Sequence, residues 1–185
     1  MPDAGAPLTQ FKAVIATAEI PRLGPQQRPG TLREAELERK LTDYFAAAGI
    51  ALPAQPLLRS AALLWHDHLH ASHTISQSIE TREGSWLHGI MHRREPDYGN
   101  AKYWFRRVGR HEGFTKLAER AGKLLNERGP LCDRLIRSGE WQPLTFVDEC
   151  ERAEQGNDPD LTLSLRQIQA AEFDVLAEYI LSHRP

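Results

Sequence analysis

Several features that would narrow the function of this 185-residue chain are missing from it. Its only two cysteines, Cys132 and Cys150, lack metal-type spacing, which predicts two ordinary thiols in a reducing, cytoplasmic setting. The first residues have neither a basic region nor an apolar segment, so we expect no signal peptide. Because no stretch approaches about eighteen consecutive apolar residues, we expect no membrane span and no membrane partner. Glycine-rich phosphate loops and nucleophile-elbow motifs are also absent.

Patterns typical of β-strands are equally scarce in the sequence. No run of about four to eight β-branched residues alternates with polar ones, whereas helical periodicity recurs between glycines and prolines. At this length one hydrophobic core is the default expectation. We therefore predict an all-α fold, an irregular single-domain bundle of six to eight helices over residues 31–185. A loosely attached, Pro/Gly-rich N-terminal arm is expected over residues 1–30.

Three of the predicted helices lie in the first half of the chain. Thr31 and Glu34 match a capping box and predict the start of the first helix. The second helix is expected from after Pro56 to about Glu80. A third, short helix is expected over residues 85–94 and should end before Pro96, because proline disfavours helical geometry in the residue that precedes it.

The charges of the chain are unevenly distributed. The net charge of −2 argues against a general nucleic-acid binder. Residues 82–128 nevertheless carry eleven lysines and arginines against six acidic residues, whereas residues 139–185 carry three against ten. The basic block overlaps the region where the histidines are concentrated. This overlap favours a small anionic molecule as substrate or effector.

Seven of the eight histidines fall between residues 66 and 111, and their spacing is periodic. The spacing i, i+4, i+7 occurs in His66, His70 and His73 and again in His88, His92 and Glu95. Because each helical residue turns by about 100°, each triplet would lie within an arc of about 60°. Two neighbouring helices would then each present a stripe of groups that bind protons or metals. On the same helical wheel Asp67 is expected to point toward solvent.

The spacing of His88 and His92 allows one helix to offer two imidazoles to a single ion. With His73 from the neighbouring helix, they form a candidate site for zinc, nickel or iron, because imidazole favours these ions over magnesium. The zinc-protease motif requires glutamate directly after the first histidine, and Gly89 at this position disfavours that class. The glycine would instead let a helix or ligand approach the backbone closely. Two hydrogen-bonded histidines on a polar helix face remain the alternative.

An aromatic and basic segment follows the histidines. Three aromatic residues precede Arg106 and Arg107 and cover most of a short helix, so at least one of the two guanidinium groups is expected to be buried. A buried guanidinium requires a carboxylate or a bound anion. Glu95 and Asp97 could supply the carboxylate in an internal network, or the arginines could bind a phosphate or carboxylate ligand. Both interpretations remain open.

Three segments of this region together resemble a known family. They are His-Asp-x-Leu-x-x-Ser-His at residues 66–73, His-Gly-x-x-His-Arg-Arg-Glu-Pro-Asp-Tyr at residues 88–98, and Asn-Ala-Lys-Tyr-Trp-Phe-Arg-Arg-Val-Gly at residues 100–109. In these segments the chain resembles a family of small uncharacterised proteins. The resemblance covers about a quarter of the chain and supports the location of the site. It implies nothing about the chemistry.

Two functions are consistent with these patterns. The first is an enzyme that hydrolyses or isomerises a small anionic metabolite, with or without a metal, using His73, His92 and Glu95 as catalytic groups. Its candidate substrate-binding residues are Arg93, Arg94, Asp97, Tyr98, Asn100, Arg106, Arg107 and His111. The alternative is a non-catalytic, small-anion-binding or regulatory helical module, which the absence of a recognisable nucleophile constellation favours. In that case the long last helix could provide the surface for a homodimer.

Overall fold

The computed structural model describes residues 5–126 and 129–183, so parts of the predicted arm and of the predicted domain lie outside the described residues. The elements are α1 (Gly5–Val14), α2 (Glu34–Ala48), α3 (Ala54–Trp65), α4 (Leu69–Ser76), α5 (Arg82–Arg94), α6 (Tyr98–Val108), α7 (Glu112–Leu124), α8 (Pro130–Leu135), β1 (Ile136–Arg137), β2 (Glu140–Trp141), α9 (Pro143–Gln155) and α10 (Pro159–Ser182). The two short strands pair as an antiparallel hairpin. The predicted all-α class is confirmed.

Helix α5 lies at the centre of the fold. All its residues from Gly84 to Arg94 are buried, and it packs against α3, α4 and α6. A β-carbon at Gly89 would lie 3.0 Å from atoms of the Phe105 ring, so the glycine lets α6 approach the α5 backbone closely. Helix α10 has 24 residues and packs against α1, α3, α7 and α9. Within the described residues, no helix combines the length and the apolar character needed to cross a membrane.

The prediction of a single helix from after Pro56 to about Glu80 is wrong, because the helix is interrupted between α3 and α4. Asp67 lies in the break with a φ of 65°, in the left-handed region. The prediction that this side chain points to solvent is also wrong, since its carboxylate is buried between Arg28 and Arg94. Helical periodicity cannot detect such a break, because distant residues stabilise it. His66 and His73 therefore lie on different elements.

The described part of the predicted N-terminal arm is packed against the core over residues 11–28 rather than loosely attached. Phe11, Ile15 and Leu23 are buried, and Arg28 contacts Asp67 through its backbone N–H and its Nε, each at 2.9 Å. The predicted capping box at Thr31 and Glu34 is wrong, because Thr31 makes its hydrogen bond to the preceding segment instead of to α2. The Thr31 hydroxyl donates to the Arg28 carbonyl at 3.1 Å, and α2 begins later, without a side-chain cap.

Candidate metal centre

Three of the predicted site residues come together where α4 packs against α5. His73 lies on α4, and His88 and His92 lie one turn apart on α5. The ring centroids are 4.7 Å apart for His73 and His88, 5.4 Å for His73 and His92, and 4.8 Å for His88 and His92. One potential ligand atom from each ring lies within 4.8 Å of the other two. We call these three residues the histidine group.

Two members of the histidine group are nearly inaccessible to solvent. His88 is 3% exposed and His92 is 7% exposed. Burial, followed by the neighbouring His92 and His73, lowers the pKa of His88 to about 4. Burial also lowers the pKa of His92, although Glu95 and Asp97 act in the opposite direction. At neutral pH both rings are therefore uncharged, and the buried Nδ1 atom of each has no hydrogen-bond partner among the residues that the structure describes.

Two carboxylates lie beside His92, at the turn between α5 and α6. The Oε2 of Glu95 is 3.6 Å and the Oδ2 of Asp97 is 3.9 Å from His92 Nδ1. Their side chains are 38% and 54% exposed, so the carboxylates connect the buried ring to solvent. Asp97 also caps α6, since its Oδ1 accepts a hydrogen bond from the Asn100 backbone N–H at 3.1 Å.

Residues of α6 cover the other side of the group. The side-chain Nδ2 of Asn100 lies 3.1 Å from His92 Nε2. The Trp104 ring stacks on His88, with 3.9 Å between centroids and 13° between planes. The Arg107 guanidinium carbon lies 5.2 Å from the Trp104 ring centroid. The exposed Arg107 side chain therefore contacts the same indole ring that stacks on the buried His88.

The arginines are arranged differently from the prediction. Arg106 and Arg107 are both exposed, so the expectation that one of them is buried is wrong. The buried pair is Arg93 and Arg94, because α5 rather than α6 is enclosed on all sides. Arg93 Nη2 lies 2.5 Å from Glu172 Oε2, and Arg94 Nη2 lies 2.7 Å from Asp67 Oδ1. These two guanidinium groups, expected to bind substrate, are paired with internal carboxylates.

The sequence reasoning missed Glu172 and the role of Asp67. Glu172 precedes Phe173, Val175 and Leu176, which are buried on α10. A carboxylate beside the buried positions of a helix is the one sequence signal that could have suggested an internal partner for an arginine. No comparable signal marks Asp67, because its partners belong to α5 and to the N-terminal segment.

The remaining predicted residues have structural contacts of their own. His111 caps α7 by accepting from the Gly113 N–H at 3.0 Å, and its Nε2 lies 3.1 Å from Glu83 Oε1. That hydrogen bond lowers the pKa of Glu83 to about 2. His111 therefore lies in a separate cluster, with its ring edge-to-face against Trp86 at 5.0 Å between centroids. Tyr98 is half-buried against the core, and burial raises its pKa to about 12.

A cleft of about 660 Å³ lies next to the candidate metal centre. It is lined by Glu34, Glu38, His70 and Glu95 among others, and within the described residues no lysine or arginine lines it. Glu95 belongs both to this lining and to the surroundings of His92. An anion would therefore be repelled from this cleft and attracted to the opposite, α6 side, where Arg107 lies.

His66 belongs to the structural framework, and its burial predicts a pH-dependent stability. Its Nδ1 accepts from the Leu32 N–H at 3.1 Å, and burial, followed by His68 and Arg28, lowers its pKa to about 4. An unfolded histidine binds its proton near pH 6.5. Between these values the unfolded state binds more protons, so stability falls on acidification by up to about 1.4 kcal/mol per pH unit for this residue.

We expect His66→Gln to make the free energy of unfolding less dependent on pH between about pH 4 and pH 6.5. Glutamine can still accept a hydrogen bond from the Leu32 N–H but does not titrate. Urea denaturation at several pH values, with a chelator present, measures the slope. His70→Gln, at an exposed position, is the matched control and should leave the slope unchanged. Equal slopes for His66→Gln and the wild type would contradict the prediction.

The histidine group has the composition of a three-histidine transition-metal site, with carboxylates on one side and an exposed arginine on the other. Imidazole ligands and an adjacent carboxylate are the groups that metal-assisted hydrolysis uses. No protein-family model, curated protein or solved structure matches the chain.

Proposed function

We propose that His73, His88 and His92 bind one divalent transition-metal ion and that the protein uses this ion to hydrolyse a small anionic substrate. The observation that carries the proposal is the convergence of three imidazoles from two helices, with ligand atoms within 4.8 Å of one another. Imidazole favours zinc, nickel or iron over magnesium. The buried thiols of Cys132 and Cys150 fit a reducing, cytoplasmic compartment.

The spacing of the ring nitrogens requires only a local contraction to bind an ion. Two nitrogens bound to one zinc ion at about 2.1 Å lie about 3.4 Å apart in tetrahedral geometry. The proposal therefore requires the half-buried His73 ring on α4 to move toward the two rings of α5 when the ion binds. Three protein ligands leave the fourth position open for water, whose pKa a bound zinc ion lowers to about 7.

The surrounding side chains have distinct roles in this proposal. Glu95, next to His92 and half-exposed, is placed to accept a proton from the attacking water. The Arg107 guanidinium lies over the Trp104 ring that stacks on His88, and it would bind the anionic part of the substrate. Asp97 caps α6 and adds negative charge that favours a bound cation.

Elemental analysis of untagged protein, purified without chelator and supplied with zinc, tests the metal centre. We expect about one equivalent per chain in the wild type and less than about a tenth in His88→Ala/His92→Ala, since two of three ligands are removed. The double variant His70→Ala/His183→Ala removes two exposed histidines and should retain the metal. Equal, substoichiometric zinc in all three proteins would overturn the proposal in favour of a metal-free histidine–arginine pocket.

Hydrolysis of p-nitrophenyl phosphate by the zinc-loaded protein tests the catalytic part of the proposal. Glu95→Gln should lower kcat by about 10²–10⁴-fold without changing the zinc content, because it removes the proton acceptor. Glu80→Gln, an exposed control, should leave kcat unchanged. If zinc and inorganic phosphate bind but neither this ester nor a panel of other anionic esters is turned over, the non-catalytic binding module is the better account.

A further inference from the structure

We infer that Asn100 is a positioning residue for the candidate metal centre, which accepts a hydrogen bond from His92 Nε2–H and so leaves His92 Nδ1 available to the ion. The inference rests on the proposed function. From the sequence, Asn100 was expected to contact substrate. Its side-chain Nδ2 instead lies 3.1 Å from His92 Nε2, while His92 Nδ1 is buried and has no hydrogen-bond partner among the described residues.

The chemistry of imidazole makes the orientation of the amide decisive. A neutral ring carries one proton, and only the nitrogen without it can bind a metal ion. An asparagine amide can match either tautomer, because its oxygen accepts and its nitrogen donates. With Nδ2 at the ring, the proton is on Nδ1. Rotation of the amide by 180° exchanges its nitrogen and oxygen without changing its shape. With the oxygen at the ring, the proton is on Nε2 and the lone pair is on Nδ1.

The surroundings of His92 favour this orientation. With the opposite tautomer, a proton on Nδ1 would be a buried donor, and the nearest carboxylate oxygens, at 3.6 Å and 3.9 Å, are too distant to accept a good hydrogen bond. An unsatisfied buried donor is unfavourable. With the proton on Nε2, the donor is paired with Asn100 and the free lone pair lies on the atom beside Glu95 and Asp97.

The local fold holds Asn100 in place against His92. The Asp97 N–H donates to the His92 carbonyl at 3.0 Å, which closes the turn after α5. The Asp97 carboxylate then caps α6 at the Asn100 N–H. The distance between His92 and Asn100 is therefore set by a hydrogen-bonded turn rather than by long side chains. Metal-binding histidines commonly donate their second N–H to such an acceptor, which raises the basicity of the ligand.

Zinc affinity of three variants, measured by competition with a chromophoric chelator, tests the inference. Asn100→Leu keeps the size of the side chain but removes the acceptor, and it should weaken zinc binding by about 10–100-fold. Asn100→Asp keeps an acceptor at the same place and should bind zinc at least as tightly as the wild type. Asn157→Leu makes the same exchange at an exposed position and should have no effect.

The tautomer of His92 provides a second readout that needs no metal. In chelator-treated protein with ¹⁵N-labelled histidine, assigned by comparison with His92→Gln, we expect the Nε2–H form in the wild type and in Asn100→Asp. Asn100→Leu should give a mixture of tautomers. If His92 is the Nδ1–H form in the wild type, or if Asn100→Asp weakens zinc binding as much as Asn100→Leu does, the inference is overturned.

The two readouts separate the inference from the proposed function. If no variant and no wild-type protein binds zinc, yet the tautomers respond as expected, the metal centre fails while the positioning of His92 by Asn100 is supported. If zinc binds to the wild type but neither affinity nor tautomer responds to Asn100→Leu, the positioning role fails and the metal centre is supported. Far-ultraviolet circular dichroism verifies that the variants are folded. Should Asn100→Leu not fold, Asn100→Asp together with the wild-type tautomer still decides the question.

Discussion

Replacing Glu172 with glutamine is expected to destabilise the protein by about 3–5 kcal/mol, because it leaves the guanidinium group of Arg93 buried without a counter-charge. Glu172 is fully buried and receives hydrogen bonds from Arg93 Nη2 at 2.5 Å and from Trp86 Nε1 at 2.9 Å. The guanidinium carbon also lies 4.5 Å from the centroid of the Phe146 ring, which cannot replace a carboxylate. Urea denaturation at neutral pH measures the loss.

Glu178→Gln is the matched control for this prediction, on the same helix. Glu178 pairs with Lys116 and Arg120 at the surface, where such pairs contribute about 0–1 kcal/mol. Replacing Arg93 and Glu172 together with methionine should recover most of the loss, since buried ion pairs are often no more stable than apolar residues of similar volume. Similar free energies of unfolding for Glu172→Gln and Glu178→Gln would contradict the prediction.

Replacing Asp67 with asparagine is expected to have an effect of similar size, about 3–5 kcal/mol, and to weaken zinc binding as well. Asparagine tolerates the left-handed backbone at this position, so the substitution removes the charge without adding backbone strain. Asp67 balances two buried guanidinium groups, at 2.9 Å from Arg28 Nε and 2.7 Å from Arg94 Nη2. Because it joins the α3–α4 break to α5, its loss should also displace His73 from the other two histidines.

The control for Asp67→Asn is Asp148→Asn. The carboxylate of Asp148 is 55% exposed and pairs with Lys102 at the surface.

Burial alone would raise the pKa of Asp67, but the hydrogen bonds from Arg28 and Arg94 lower it overall. The contribution of the Asp67 carboxylate to the free energy of unfolding is therefore present at neutral pH. It is lost as the pH falls below the ordinary aspartate pKa of about 3.9. Asp67→Asn and the wild type should thus become similar in stability in acid. A difference that stays constant well below that pH would be evidence against the ion-pair explanation.

The local pattern of α5 was predictable because its signals lie within the helix itself. Thr81 accepts from the Gly84 N–H and begins the helix, and the predicted end before Pro96 is confirmed. The spacing of His88 and His92 then places both rings on one face, with stacked rings 4.8 Å apart. Gly89 allows the close approach of a partner helix that the sequence suggested, which is α6.

The burial of the arginines was not predictable in the same way. Three aromatic residues on α6 suggested an enclosed helix, yet Tyr103 is 49% exposed and both arginines of α6 reach solvent. Whether a helix is enclosed depends on how many neighbours pack around it, and those neighbours come from distant parts of the chain. Arg93 finds its carboxylate on α10, 79 residues further along the chain.

The sequence by itself determined the helical class, the end of α5 and the pairing of His88 with His92, because these depend on spacing and punctuation within a few residues. The start of α5 lies three residues before the predicted Ser85, at Arg82. The sequence also suggested His73 as their partner, but only the tertiary structure decided that His66, in the same predicted stripe, is separated from them. The separation of His66 from the other histidines depends on the interruption between α3 and α4 at Asp67. Arg28 and Arg94 stabilise this interruption because they surround the Asp67 carboxylate. Contacts over such separations leave no periodic trace in a sequence, since they arise only when the packed helices bring the charges into one low-dielectric interior.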